Sequence, residues 1–160
     1  MISKADYLGS PDPDIILYLP HRPNGMAGLS ARPDAAALVA LNSNHWRKIV
    51  NLLAKIACPV GGDWRRFRDE SLFDTTALCF APELVRHGGW HWIAGKENRQ
   101  RFAGLGHQAQ PLNGDARVAL DSAQRLLLTP YPDYRQLSNA LVEQVRVSLA
   151  GQGFYREAGQ

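Results

Sequence analysis

Cysteine is almost missing from this chain. Among 160 residues there are two, Cys58 and Cys79, and they stand apart rather than in the C-x-x-C spacing of redox and zinc sites. That excludes a disulfide framework and predicts two buried free thiols in a reducing cytoplasm. No apolar run is long enough to span a bilayer. The opening MISKADYLGSPDPD also lacks the charged-then-apolar layout of a secretory leader. A cytoplasmic location and no membrane partner are therefore expected. H-E-x-x-H, G-x-S-x-G, a Walker loop and G-x-G-x-x-G are absent as well. Without them the familiar hydrolase, phosphate-loop and dinucleotide chemistries have no footing, and no cofactor is expected. Charge of either sign is in short excess: 18 Lys and Arg against 15 Asp and Glu leave +3, with a pI of about 9.1. That balance permits an anionic partner without requiring one.

What is present suits one domain over residues 1–160, since 45% hydrophobic content provides for a real core at this length. Residues 1–13 read as a polar, proline-containing arm. Short apolar runs at 14–19 (DIILYL), 75–81 (TTALCFA), 90–94 (WHWIA) and 126–128 (LLL) read as strands covered on both faces, as in a parallel sheet. Residues 116–120 suit a short edge strand. Between them, residues 43–58 predict an amphipathic helix with Trp46, Ile49, Val50, Leu53 and Ile56 on its buried stripe, ended by Pro59 and Gly61-Gly62. A second long helix is predicted from Asp133, where Gln136 three residues on resembles a capping box. Its apolar stripe is Tyr134, Leu137, Leu141, Val145 and Leu149, with Gly151 as terminator. Gly95-Lys96-Glu97 turns the third strand into another helix. Residues 26–33 read as loop, and 34–41 carry no assignment. The alternation predicts a three-layer α/β/α sandwich around a small, mostly parallel sheet of four or five strands.

Three loops follow those strands and open at one sheet edge if the strands are parallel. They carry His21, Arg22 and Asn24; then Lys96, Glu97 and Asn98; then Thr129, Tyr131, Asp133, Tyr134 and Arg135. Arg, Lys and Asn with tyrosines suit an anion or a flat heterocycle. The plainer alternative makes Lys96-Glu97 a helix-start surface and Pro130-Tyr131-Pro132 a rigid turn. An enzyme acting on a small phosphorylated or carboxylated substrate through His21, Arg22 and Arg135 is a further reading. So is a scaffold with exposed tryptophans as anchors. Arg47, Lys48, Arg65, Arg66 and Arg68 are candidates for nucleic-acid contact. The stretch 63–69 (DWRRFRD) interleaves arginine with Trp64 and Phe67, as phosphate contact and base stacking require. The same three-residue spacing of the two rings also pins a short helix to a core. His87 and His91 have the H-x3-H spacing of a helical metal site, but Gly88-Gly89 interrupt any helix there and no metal is expected.

The order of elements resembles the uracil-DNA glycosylase-like superfamily. Residues 42–53 (NSNHWRKIVNLL) are similar to its N-R-F-W helix, and 92–98 (WIAGKEN) to its third strand and G-K-E turn. Residues 125–133 stand where its last strand and H-P-S loop lie. The resemblance implies the fold and a ligand carrying a nucleobase. It does not imply excision. The family's first loop carries an acidic or amide residue that positions water, and here that loop reads Leu19-Pro20-His21-Arg22-Pro23. Its histidine before the second proline is replaced by Thr129. Glycosylases need both an oriented water and support for charge developing on the departing base.

Overall fold

The structure is a computed structural model describing residues 2–112 and 115–155. Its strands, in chain order, are β1 (Tyr7–Gly9), β2 (Ile15–Tyr18), β3 (Thr76–Cys79), β4 (Trp90–Ala94), β5 (Gln110–Leu112), β6 (Asp115–Asp121) and β7 (Leu126–Thr129). Every residue of β2, β3, β4 and β7 is buried, as near-continuous apolar strands must be. These four lie side by side in the order β3-β2-β4-β7, all parallel. The runs ending near Leu19, Ala94 and Leu128 are thus neighbours, as their sequences predict.

The sheet departs from expectation at its edges. It has seven strands rather than four or five, and it is mixed. β1 pairs antiparallel with β3, and β6 and β5 extend it antiparallel beyond β7. The segment read as an arm holds a 3-10 turn (Lys4–Asp6) and β1. Gly9 lets β1 approach: its φ is +131°, and a Cβ there would lie 2.5 Å from the Thr76 carbonyl oxygen. The run at 116–120 is an inner strand, with β5 outside it.

The helices are α1 (Met26–Ala31), α2 (Ala35–Ala40), α3 (Asn44–Ala57), α4 (Trp64–Glu70), α5 (Leu72–Thr75), α6 (Lys96–Arg101) and α7 (Asn139–Gly151). The predicted loop at 26–33 contains α1, and Asp34 caps α2 by accepting the Ala36 amide. The predicted stripe of α3 is fully buried, together with Asn51, Leu52 and Ala54. Its last carbonyls do not go unmet. One guanidinium nitrogen of Arg146 on α7 donates to the carbonyls of Lys55, Ile56 and Cys58, tying the end of one helix to the flank of another.

α7 begins five residues later than Asp133 suggests. Asp133 spends its carboxylate on the Arg135 amide, and its carbonyl accepts the amides of Gln136 and Leu137. That closes a separate turn. Ser138 then caps the helix proper by accepting the Leu141 amide. Leu137, Leu141, Val145 and Leu149 are buried as predicted, whereas Tyr134 leaves the stripe and is 42% exposed.

Apolar side chains of α2, α3, α5 and α7 form one core against the sheet. The other face is covered differently from the predicted sandwich. Phe102, capping α6, packs there with Leu84, Val85 and Leu105 from irregular chain. Pro82 and Gly88-Gly89 punctuate the β3–β4 connection too closely for a helix. The result is α/β, with a helical layer on one face and mostly loop on the other.

Candidate functional site

The chain leaves β2 toward β3 and leaves β4 toward β7, so the carboxyl ends of β2 and β4 flank a switch point where α/β sheets hold ligands. Here the crevice is filled from within. Asn98, fully buried, donates to the Tyr18 carbonyl at 2.6 Å. Arg101 donates to the carbonyls of Leu19 and Phe80 and to the Asn98 amide oxygen. Thr129, also fully buried, accepts from the Trp92 indole at 2.7 Å and donates to the Pro130 carbonyl. Two predicted ligand contacts, Asn98 and Thr129, are therefore braces.

Above this plug lies a cluster that faces outward. The Tyr131 hydroxyl sits 2.7 Å from Nε2 of His45 and 3.0 Å from Nε2 of His21. Tyr131 comes from the loop after β7, His21 from the loop after β2, and His45 from the first turn of α3. The His45 and Tyr131 rings lie 5.1 Å apart and nearly parallel at 13°, and His21 meets Tyr131 at 6.1 Å and 22°. Trp46 packs edge-on to His21 at 5.8 Å. Gly95 makes room, because its φ is +90° and a Cβ there would come within 3.1 Å of the Tyr131 ring.

Burial pushes the Tyr131 phenol up to about 12, with Glu97 and Asp133 adding to the rise. It keeps its proton at neutral pH. Burial, then His45, lowers His21 below the ordinary histidine value, and Glu97 opposes them. One phenolic proton cannot serve two acceptors, so the hydroxyl donates to one imidazole and accepts from the other. The arrangement is a short proton path ending at an exposed ring, with flat faces and both donor and acceptor character.

Other candidates lie apart from this cluster. Arg22 is bound to Asp6 at 2.6 Å. The backbone of Asn24 is held by the Asn42 side chain. Lys96 and Arg135 are exposed. Tyr134 lies instead beside α3, where its hydroxyl accepts from Asn51 at 2.8 Å. His87 and His91 do meet, ring centroids 4.6 Å apart. His91 is committed to Tyr18, and no three His, Cys, Asp or Glu residues converge as a metal set among the described residues.

The basic candidates divide. Arg47, Arg65 and Arg68 line a cavity of about 540 Å³ with Trp64 and Tyr134. Lys48 is paired with Asp133 at 3.7 Å, Arg66 with Glu70 on the outer surface, and Arg68 with Asp69 while also donating to Asn51. Trp64 and Phe67 are half-buried against the core, so the packing role of that pair is real. His45 was the residue that sequence reasoning passed over, because its role depends on where the start of α3 docks.

A family model described as "Family of unknown function (DUF6942)" matches residues 6–150. No curated protein and no solved structure matches the chain.

Proposed function

Because the chain belongs to this family of unknown function, whose description carries no activity, we propose from the geometry that it binds a nucleobase-containing or other planar anionic ligand at the strand ends, without classical uracil excision. One observation carries the reading: the Tyr131 hydroxyl held between His21 and His45 at the carboxyl ends of the central strands. A base edge offers alternating donors and acceptors, and an imidazole–phenol pair can answer either. The aromatic faces provide a stacking partner.

The resemblance to the uracil-DNA glycosylase-like fold supports a base as ligand. The chemistry at its two catalytic positions argues against excision. Thr129 is buried and spent on Trp92 and Pro130. The first loop offers an imidazole where the family has a carboxylate or amide. The alternative of a small anionic substrate held by His21, Arg22 and Arg135 is weaker, because Asp6 already neutralises Arg22. A scaffold anchored by exposed tryptophans loses its anchors: Trp46, Trp90 and Trp92 are buried and Trp64 is half-buried. Among the described residues no helix is long and apolar enough to cross a membrane. The two buried free thiols support a reducing cytoplasm as the working compartment.

The test is titration of free bases and nucleoside monophosphates, followed by the ring-proton signals of His21 and His45. Saturable shifts are expected, and Tyr131→Phe should abolish them. No response up to millimolar ligand would refute the reading. In parallel, uracil release from single- or double-stranded DNA should not exceed a buffer control. Release that His21→Ala abolishes would show that the site is catalytic after all.

A further inference from the structure

A group of basic side chains lies away from the strand ends, in the groove between α3, α4 and the start of α7. Arg47, Lys55 and Arg65 line it, and none of the three has a carboxylate partner among the described ion pairs, which take up Arg22, Lys48, Arg66 and Arg68. Two nearby carboxylates are engaged elsewhere, Asp133 with Lys48 and Asp69 with Arg68, and Asp63 accepts the Arg65 amide; Glu143 lines the adjoining cavity beside Lys55 and Arg65. Two of the three cations are held by rings instead. Lys55 lies over Trp64 at 5.0 Å and over Tyr134 at 5.3 Å, and the Arg65 guanidinium lies over Trp64 at 4.5 Å. An aromatic face fixes a cation in place while leaving its full charge to act on a ligand. Among the described residues the Lys55 ammonium donates to the neutral amide oxygen of Asn139 at 3.2 Å.

We propose that this groove binds single-stranded nucleic acid, with consecutive phosphates on Arg47, Lys55 and Arg65. Arg47 and Lys55 are eight positions apart on α3, about 12 Å along its axis. Successive phosphates of one strand can follow that spacing. The cavity of about 540 Å³ suits a single strand, whose unstacked bases can reach an aromatic wall. Tyr134, 42% exposed at its wall, gives a base a partial stacking surface of the kind single-strand binders use. Of the five basic candidates read from the sequence, Arg47, Arg65 and Arg68 line the groove beside Lys55, and Arg66 turns away to Glu70. The site is independent of the strand-end cluster, so either can fail without the other.

The test is fluorescence anisotropy of a labelled oligothymidylate titrated with the full-length protein over rising salt. Each phosphate contact on a single strand contributes about −0.7 to the log–log salt slope, so three contacts give about −2. Lys55→Ala with Arg65→Ala should flatten the slope by about 1.4 units, with an unchanged melting temperature. Arg66→Ala, paired outside the groove, should leave the slope alone. The same double variant should leave the His21 and His45 ring-proton shifts on adding free base unchanged, which separates this groove from the strand-end site. Three results would overturn the proposal: no binding at low salt, an unchanged slope in the double variant, or a duplex bound as tightly as the single strand. Full displacement by stoichiometric tripolyphosphate would equally overturn it, by reducing the groove to a small-anion site.

Discussion

Replacing His91 by asparagine should change how the protein responds to acid more than how stable it is at neutrality. His91 sits on β4 with its Nδ1 2.7 Å from the Tyr18 hydroxyl. That hydroxyl also accepts the Val85 amide, so its proton goes to His91. An imidazole receiving a proton at Nδ1 cannot carry one there. Burial, reinforced by His87, pulls its pKa from the ordinary 6.5 down to about 4. The sign follows directly. Between those values the unfolded chain binds a proton that the folded chain refuses, so stability falls as pH falls through that window. The slope is about 1.4 kcal/mol per pH unit for one group, and the total is about 3 kcal/mol. A small domain typically has only about 5–15 kcal/mol in all. Above pH 6.5 the contribution is complete. Below about 4 this histidine causes no further loss, and any additional decline belongs to carboxylates such as Asp121, held below the usual range by the Gln108 and Gln124 amides.

Asparagine keeps an acceptor near the position of Nδ1 and does not titrate. Urea unfolding of both proteins at pH 7, 6, 5 and 4 should show the wild type losing about 3 kcal/mol more than His91→Asn. His21 and His87 are lowered as well, so a residual acid dependence is expected in both and cancels in the difference. Parallel curves would refute the reasoning. So would a folded-state His91 ring proton that titrates near 6.5.

Two further substitutions test the bracing of the strand ends. Gly95→Ala places a methyl group in a left-handed backbone and against Tyr131, and should cost about 1–3 kcal/mol in chemical denaturation while breaking the ring-proton coupling between His21 and His45. Thr129→Val preserves shape but strands the Trp92 indole N–H, a loss of about 1–3 kcal/mol, visible as a lower unfolding midpoint and a shifted indole resonance.

The parallel centre of the fold was legible because β2, β3, β4 and β7 need apolar side chains on both faces, which leaves unbroken runs in the sequence. The edge strands were not. Tyr7–Gly9 and Gln110–Leu112 are three residues each, too short for any periodicity, and they exist because a neighbouring strand offers free backbone groups. α7 was placed in the right region but started too early, since Asp133 and Ser138 are both competent caps and only the fold decides which one opens the helix. That error also placed Tyr134 on the buried stripe, whereas it is 42% exposed and lines the groove beside α3. Of the strand-end residues, His21 and Tyr131 could be read from their position after apolar runs. His45 could not, because its role depends on where the start of α3 docks.

The pairing of β2 bears on the order in which this chain can fold. Ile15 takes partners at Thr76 and Trp90, so the first central strand to be synthesised waits for chain made much later. Contacts so distant in sequence form slowly. The most local ladders are the hairpins of β5 with β6 and β6 with β7, on which β4 can dock before β2 enters between β4 and β3. Until β4 arrives, the segment IILY leaves its β4-facing edge open, the kind of strand that pairs with the wrong molecule. A nascent or truncated chain ending before Trp90 should therefore need a chaperone to remain dispersed, and adding β4 through β7 should relieve that need.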